Sequence, residues 1–288
     1  MTNSWEERIS ATSDALLVAE HEVRYGWARP AVEIAGTWCD LGCGTAAGSS
    51  RALRASLPER VVLVDAEAAA IDEARRAFAP REVEGWTIDL TRRPDLDELA
   101  ARLLDGPGPI VLTCFEVIEH LPDFVPVVEW FSEMASEGAT VAISVPNDVF
   151  TSVRNPYHVT MWGSSTVEEL RGLLPADHVV AAQTALEGSV IDPAGGRSGD
   201  EPIELLLGSE RPADLVPLQY MMGIGAGADR LGTAAVVLPT DVAGRRVWER
   251  QRETDNLYYR TEAARVPELE ARIAELEAEL AGARAATS

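Results

Sequence analysis

The stretch FEVIEHLPDF, residues 115–124, sets Glu116, Glu119 and His120 within five positions of one another, directly after the apolar run PIVLTC. A second imidazole, His158, stands in NPYHV, beyond the next apolar run ATVAISVPN. Two carboxylates and two imidazoles can make an octahedral ligand set for Mg2+ or Mn2+, with positions left for water or a substrate oxygen. Without an ion, His120 or His158 can act as general base toward a hydroxyl, with Glu119 alongside. Structural hydrogen bonding is the third reading of the same four residues.

A second group of residues suits an adenosine-bearing cofactor. DLGCGTAAG matches the G-x-G-x-x-G/A pattern through Gly42, Gly44 and Ala47, and Asp65 follows twenty-one residues beyond Gly44, at the end of the apolar run RVVLVD. Glycines there let backbone approach a ligand, and a carboxylate at that distance can accept hydrogen bonds from both ribose hydroxyls. Asp40 precedes the turn, Asp89 ends EGWTID, and Glu116 ends PIVLTCFE. With Asp65, that is a rim of four carboxylates. It would repel the pyrophosphate of NAD and attract a sulfonium and an α-amino group.

Both groups must be carried to one edge by the elements around them. A helical opening from Trp5 to about Arg29 leads to a first strand ending near Leu41. Further strands are expected at RVVLVDAE, EGWTID, PIVLTCFEV and ATVAISVPN, separated by the helical segments AAIDEARRAF, PDLDELAARLL and one bearing Phe124, Val127, Val128, Phe131 and Met134. Alternating strand and helix implies a doubly wound, mostly parallel sheet, which binds ligands at the carboxyl ends of its strands. Neighbouring fourth and fifth strands would put His158 within reach of Glu116, Glu119 and His120.

Farther on, Ser164 or Ser165 should start a helix with Glu168 as a capping-box acid. His178 falls at the loop before a sixth strand, an irregular excursion covers about 187–230, and TAAVVLP is expected as the last strand. Tyr220, Met221 and Met222 form an apolar patch that suits either core or an acceptor wall. Residues 1–240 thus form one domain. From 241 to 288 the pattern is helical, with Val266, Leu269, Ile273, Leu276 and Leu280 at a/d spacing over little more than two heptads. That helix could pair two chains, dock on a partner, or pack on its own domain.

Composition narrows the classes. The 288 residues carry 47 acids against 25 bases, a formal charge of −22, which disfavours a nucleic-acid partner. Three cysteines, Cys39, Cys43 and Cys114, do not make a disulfide framework and point to the cytoplasm; Cys39 and Cys43 read as small buried residues. No apolar run is long enough to span a membrane, and the N-terminus lacks the pattern of a signal peptide.

CDLGCGTAAG, the acid of VVLVDAE, TIDL and CFEVIEHL, in that order and spacing, resemble the class I S-adenosylmethionine-dependent methyltransferases over roughly residues 20–185. The resemblance implies a Rossmann-like, seven-stranded methyltransferase fold. It implies that Asp40, Gly42 and Gly44 line the methionine half of S-adenosylmethionine, that Asp65 holds the ribose, and that Asp89 meets the adenine amino group. Upstream, AEHEVRYGWA is similar to a segment that closes over the cofactor in bacterial relatives acting on glycans and natural products, which brings in His21, Arg24 and Tyr25. E-x-x-E-H followed by a histidine after the fifth strand resembles the metal site of small-RNA 3′-terminal 2′-O-methyltransferases, and E-x-x-E-H alone is similar to ubiquinone-pathway O-methyltransferases. The expectation is an O-methyltransferase acting on a small molecule, a sugar or glycosylated natural product. The rival readings are a small-RNA methyltransferase, an NAD-dependent oxidoreductase and a non-catalytic scaffold.

Overall fold

The computed structural model describes residues 15–149, 155, 157–184, 217–235 and 276. The chain divides into two units, Met1–Phe150 with Asn155–Leu238, and Thr151–Arg154 with Pro239–Ser288. Everything below except Leu276 belongs to the first. The helical tail and its a/d positions, Leu276 apart, lie outside the described residues, as does most of the excursion.

Seven strands form one sheet: β1 (Thr37–Leu41), β2 (Arg60–Asp65), β3 (Glu84–Thr87), β4 (Ile110–Phe115), β5 (Thr140–Pro146), β6 (Val179–Gln183) and β7 (Gln219–Ile224). Their order is β3-β2-β1-β4-β5-β7-β6. The first five run parallel, while β7 lies antiparallel between β5 and β6. Side chains alternate across a strand, so Trp38, Val61, Leu63 and Val111 build the core on one face, and Cys39, Leu41, Val62 and Leu112 build the core on the other. β1, β4 and β5 are buried along their whole length, which explains the nearly continuous apolar run of β4.

Helices α1 (Ala15–Val32), α2 (Ala47–Leu53) and α3 (Ala68–Phe78) cover the first face; α4 (Arg93–Leu104), α5 (Val125–Ser136) and α6 (Ser164–Leu173) cover the second. A Cβ on Gly48 of α2 would lie 2.7 Å from the Cβ of His21, so the missing side chain is what lets α1 and α2 touch. All three cysteines are buried, and none forms a disulfide.

Two expectations are corrected. The described part of TAAVVLP, residues 233–235, is not a strand. The seventh strand is QYMMGI, so Met221 and Met222 are core residues facing opposite sides of the sheet. Its short apolar run was hidden inside a Gly- and Pro-rich context that reads as loop. The capping box also fails: Gly163 precedes α6 without a side-chain cap, and Glu168 instead accepts a 2.6 Å hydrogen bond from Arg171.

Candidate active site

The glycine turn follows β1 with three successive departures into left-handed backbone: Gly42 at φ +67°, Gly44 at +52° and Ala46 at +56°. A Cβ on Gly42 would strike the Val117 side chain at 2.4 Å, so this glycine is required by packing as well as by φ. A Cβ on Gly44 would meet nothing within 4 Å, so open space adjoins the turn at this glycine. Asp65 is held beside that space. Its Oδ2 accepts the Gly44 N–H at 3.0 Å and its Oδ1 accepts the Glu67 N–H at 2.9 Å. Asp89 lies two residues past β3, exposed, with Oδ1 taken by the Thr91 N–H and hydroxyl; those bonds hold its carboxyl below the usual range.

Asp40 is fully buried. Tyr25 donates to both its oxygens at 3.0 and 3.1 Å, and Thr113, itself bonded by the Trp38 indole, donates at 2.7 Å. Tyr25 therefore anchors α1 to β1, its ring edge-on to Phe115 and Trp38. Burial pushes the Asp40 carboxyl from 3.8 up to about 7, against the pull of the Thr113 and Tyr25 hydrogen bonds. Between those two pH values the folded chain holds a proton that the unfolded chain has released, so ionising Asp40 opposes folding as pH rises through that window. Asp40→Asn should therefore gain stability relative to wild type with rising pH, by about 1.4 kcal/mol per unit at most, and level off above neutrality. Urea midpoints of the two proteins across that range check this; a constant difference would show that Asp40 is already ionised at its lower end.

The rim is less negative than four carboxylates suggest. Glu116 follows β4 with φ +57°, a left-handed conformation rare for a residue with a side chain. Its backbone N–H meets the Ser144 carbonyl and hydroxyl, the Ser144 hydroxyl donates to Oε1 at 2.7 Å, and Oε2 lies 3.6 Å from the buried guanidinium of Arg24. Arg24 thus supplies the counter-charge from α1. His21, also on α1, packs against α2; burial and Arg24 hold its imidazole well below the usual histidine range.

Glu119 and His120 lie on a short 3-10 turn, Ile118–His120. Glu119 is 0% exposed, and neither carboxylate oxygen has a hydrogen-bond partner. Burial, with the Glu116 charge adding to it, pushes its carboxyl well above the usual range. Its backbone carbonyl accepts the N–H groups of Val159 and Thr160 at 2.8 and 3.1 Å, which pins the loop that carries His158. The two imidazoles stand edge to face, 5.1 Å between centroids. His120 donates Nδ1–H to the Tyr157 carbonyl at 3.1 Å, and His158 donates Nδ1–H to Asp148 at 2.7 Å. Holding Nδ1 in this way leaves Nε2 of each ring as the basic atom.

One ligand atom from each of Glu119, His120 and His158 lies within 4.8 Å of the other two. The expected fourth ligand, Glu116, is not in that group, because its carboxylate is turned to Ser144 and Arg24. A buried carboxylate without a hydrogen bond, its Oε1 4.0 Å from His120 Nε2, beside two imidazoles fixed at Nδ1 fits a divalent ion. Asp148 went unread in the sequence, and Asn155 was read only as part of the turn in NPYHV, although an acid directly after a buried strand, as in VPND, is a usable signal.

The family model described as a methyltransferase domain matches residues 19–185, more than half of the 288. The chain belongs to this methyltransferase family. It is a class I S-adenosylmethionine-dependent methyltransferase with the Rossmann-like fold, and the NAD reading of the glycine turn falls away. The ubiquinone biosynthesis O-methyltransferase of Ralstonia nicotianae is 25% identical to it over 213 residues, 67% of this chain and 85% of that one. Similar solved structures include a small RNA methyltransferase (16% identity, 76% of this chain and 26% of that one, TM-score 0.49). Another is an S-adenosylmethionine-dependent methyltransferase from Archaeoglobus fulgidus (15% identity, 73% and 99%, TM-score 0.46). No described helix of this methyltransferase is long and apolar enough to cross a membrane.

Proposed function

We propose that this methyltransferase acts on a hydroxyl of a small molecule, a sugar or glycosylated natural product, with the help of a divalent ion. The observation that carries the reading is the Glu119 carboxylate, buried without a hydrogen bond and grouped with His120 and His158 just after β4. Oxygen as the acceptor atom is supported by the relative's O-methyltransferase activity. The preference for glycans rests on AEHEVRYGWA and NPYHV, and the formal charge of −22 opposes an RNA acceptor.

S-adenosylmethionine supplies an electrophilic methyl group; Asp65 would hold its ribose, Asp89 would meet its adenine, and Gly42 and Gly44 would let the backbone approach its methionine half. Glu119, His120 and His158 would hold Mg2+ or Mn2+, which lowers the pKa of a bound hydroxyl. Nε2 of His120 and of His158 would then be a ligand atom; without the ion the same Nε2 lone pair would instead receive the hydroxyl proton, so the two roles are alternatives. Arg24 keeps Glu116 out of the ligand group.

Tritiated-methyl S-adenosylmethionine incubated with the enzyme and cell extract should deliver label to the small-molecule fraction. A chelator should stop that delivery without releasing the cofactor, and Mn2+ should restore it. Label appearing in RNA would sink the acceptor class; full transfer by metal-stripped enzyme would eliminate the ion and leave the histidines as bases.

A further inference from the structure

We propose that Asp148 is the positioning residue that sets the tautomer of His158, and so decides which ring nitrogen faces the acceptor hydroxyl. The proposal rests on the reading of His158 as part of the hydroxyl-activating set. Asp148 lies two residues beyond β5 and is 7% exposed. Both its oxygens are engaged: Oδ1 accepts His158 Nδ1–H at 2.7 Å, and Oδ2 accepts the Trp162 backbone N–H at 2.8 Å. The Asp148 N–H donates back to the Trp162 carbonyl, so the residue also closes the loop between β5 and α6. Trp162 is itself fixed, fully buried with its ring against Phe124.

The other ring nitrogen agrees. Asn155 offers its amide Nδ2 to His158 Nε2 at 2.9 Å, and its orientation is settled because its Oδ1 accepts the Tyr157 N–H at 3.0 Å. A carboxylate can only accept and an amide nitrogen can only donate. His158 therefore carries its proton on Nδ1 and keeps Nε2 as a lone pair, shielded by an amide that an incoming hydroxyl or ion can displace.

The Trp162 N–H makes the isosteric change informative. In Asp148→Asn the amide has one acceptor, and the buried Trp162 N–H needs it, so the new NH2 must face His158 Nδ1. Donor would then meet donor unless the ring moves its proton to Nε2. The half-buried Asn155 side chain can turn away to accommodate that proton, whereas the buried Trp162 amide has no such freedom. Nε2 is then blocked as base and as ligand.

Nitrogen-15 histidine spectra in alkaline buffer read the tautomer directly, and with four histidines in the chain a His158→Gln spectrum assigns the signal. Expected are Nδ1–H in wild type and Nε2–H in Asp148→Asn, the variant keeping its melting-temperature response to S-adenosylhomocysteine but transferring labelled methyl about 100-fold more slowly or worse. Nε2–H in wild type, or Nδ1–H retained in the variant, overturns the proposal. Should Asp148→Asn fail to fold, Asn155→Ala decides: an unchanged His158 tautomer supports Asp148 as its determinant, and a changed one assigns that role to Asn155. Failure of the wider reading looks different, since His158→Ala would then transfer methyl at the full rate whatever the tautomer.

Discussion

Replacing Asp65 by alanine should abolish the rise in melting temperature that S-adenosylmethionine and its demethylated product give the wild-type enzyme. A ligand present at a hundred times its dissociation constant stabilises a fold by about 2.7 kcal/mol, which for a domain of this size is a shift of roughly 5–10 °C. Asp65 is the acidic residue placed beside the open space over Gly44. Without it the ribose hydroxyls lose their acceptor, and Gly44 and Glu67 lose the bonds that shape the turn. The alanine variant should itself melt lower, since each lost hydrogen bond contributes about 1 kcal/mol. The informative quantity is therefore the ligand-induced increment. NAD should produce none in either protein. An undiminished increment in Asp65→Ala would remove Asp65 from the cofactor site.

Glu119→Gln should separate stability from catalysis. The wild-type carboxylate is buried without a hydrogen-bond partner, so its charge opposes folding. The amide has nearly the same shape and carries no charge; the variant should melt no lower than wild type. Methyl transfer should nevertheless fall by about 100-fold to 10,000-fold, the range associated with a lost ligand or proton-handling group. The response to S-adenosylhomocysteine should persist, because Asp65 and the glycine turn are untouched. Label transfer and melting curves on one preparation test both halves. Wild-type transfer rates in Glu119→Gln would show that the carboxylate is structural only.

How much of this could be read from residue order depends on the range of the interaction. Strands β2 and β4 were legible because strands covered on both faces are largely apolar, and RVVLVD and PIVLTCF advertise that condition. Glu119, His120 and His158 were legible as a group because adjacent parallel strands deliver their following loops to the same place. Glu116 was misread for a matching reason: nothing local in FEVIEH reveals that Arg24, ninety-two positions earlier, takes its carboxylate. Strand β7 was missed because its pairing with β5 and β6 is antiparallel and non-local, and its apolar core YMMGI stands among the glycines and prolines of VPLQYMMGIGAG. Asp148 was passed over since its partners are His158 and Trp162, ten and fourteen residues away across a loop.

The strand order has a consequence for how such an enzyme can change over generations. Asp40, Asp65 and Asp89 lie in or just after β1, β2 and β3, whereas Glu119, His120, Asp148 and His158 follow β4 and β5, so under the proposed function the boundary between β1 and β4 would divide donor handling from acceptor handling. Substitutions on the β4 and β5 side would then retune which hydroxyl is accepted while inheriting an intact cofactor grip. A duplicated gene could diverge there first, and a protein engineer seeking a new acceptor should randomise residues 147–162 before touching the glycine turn.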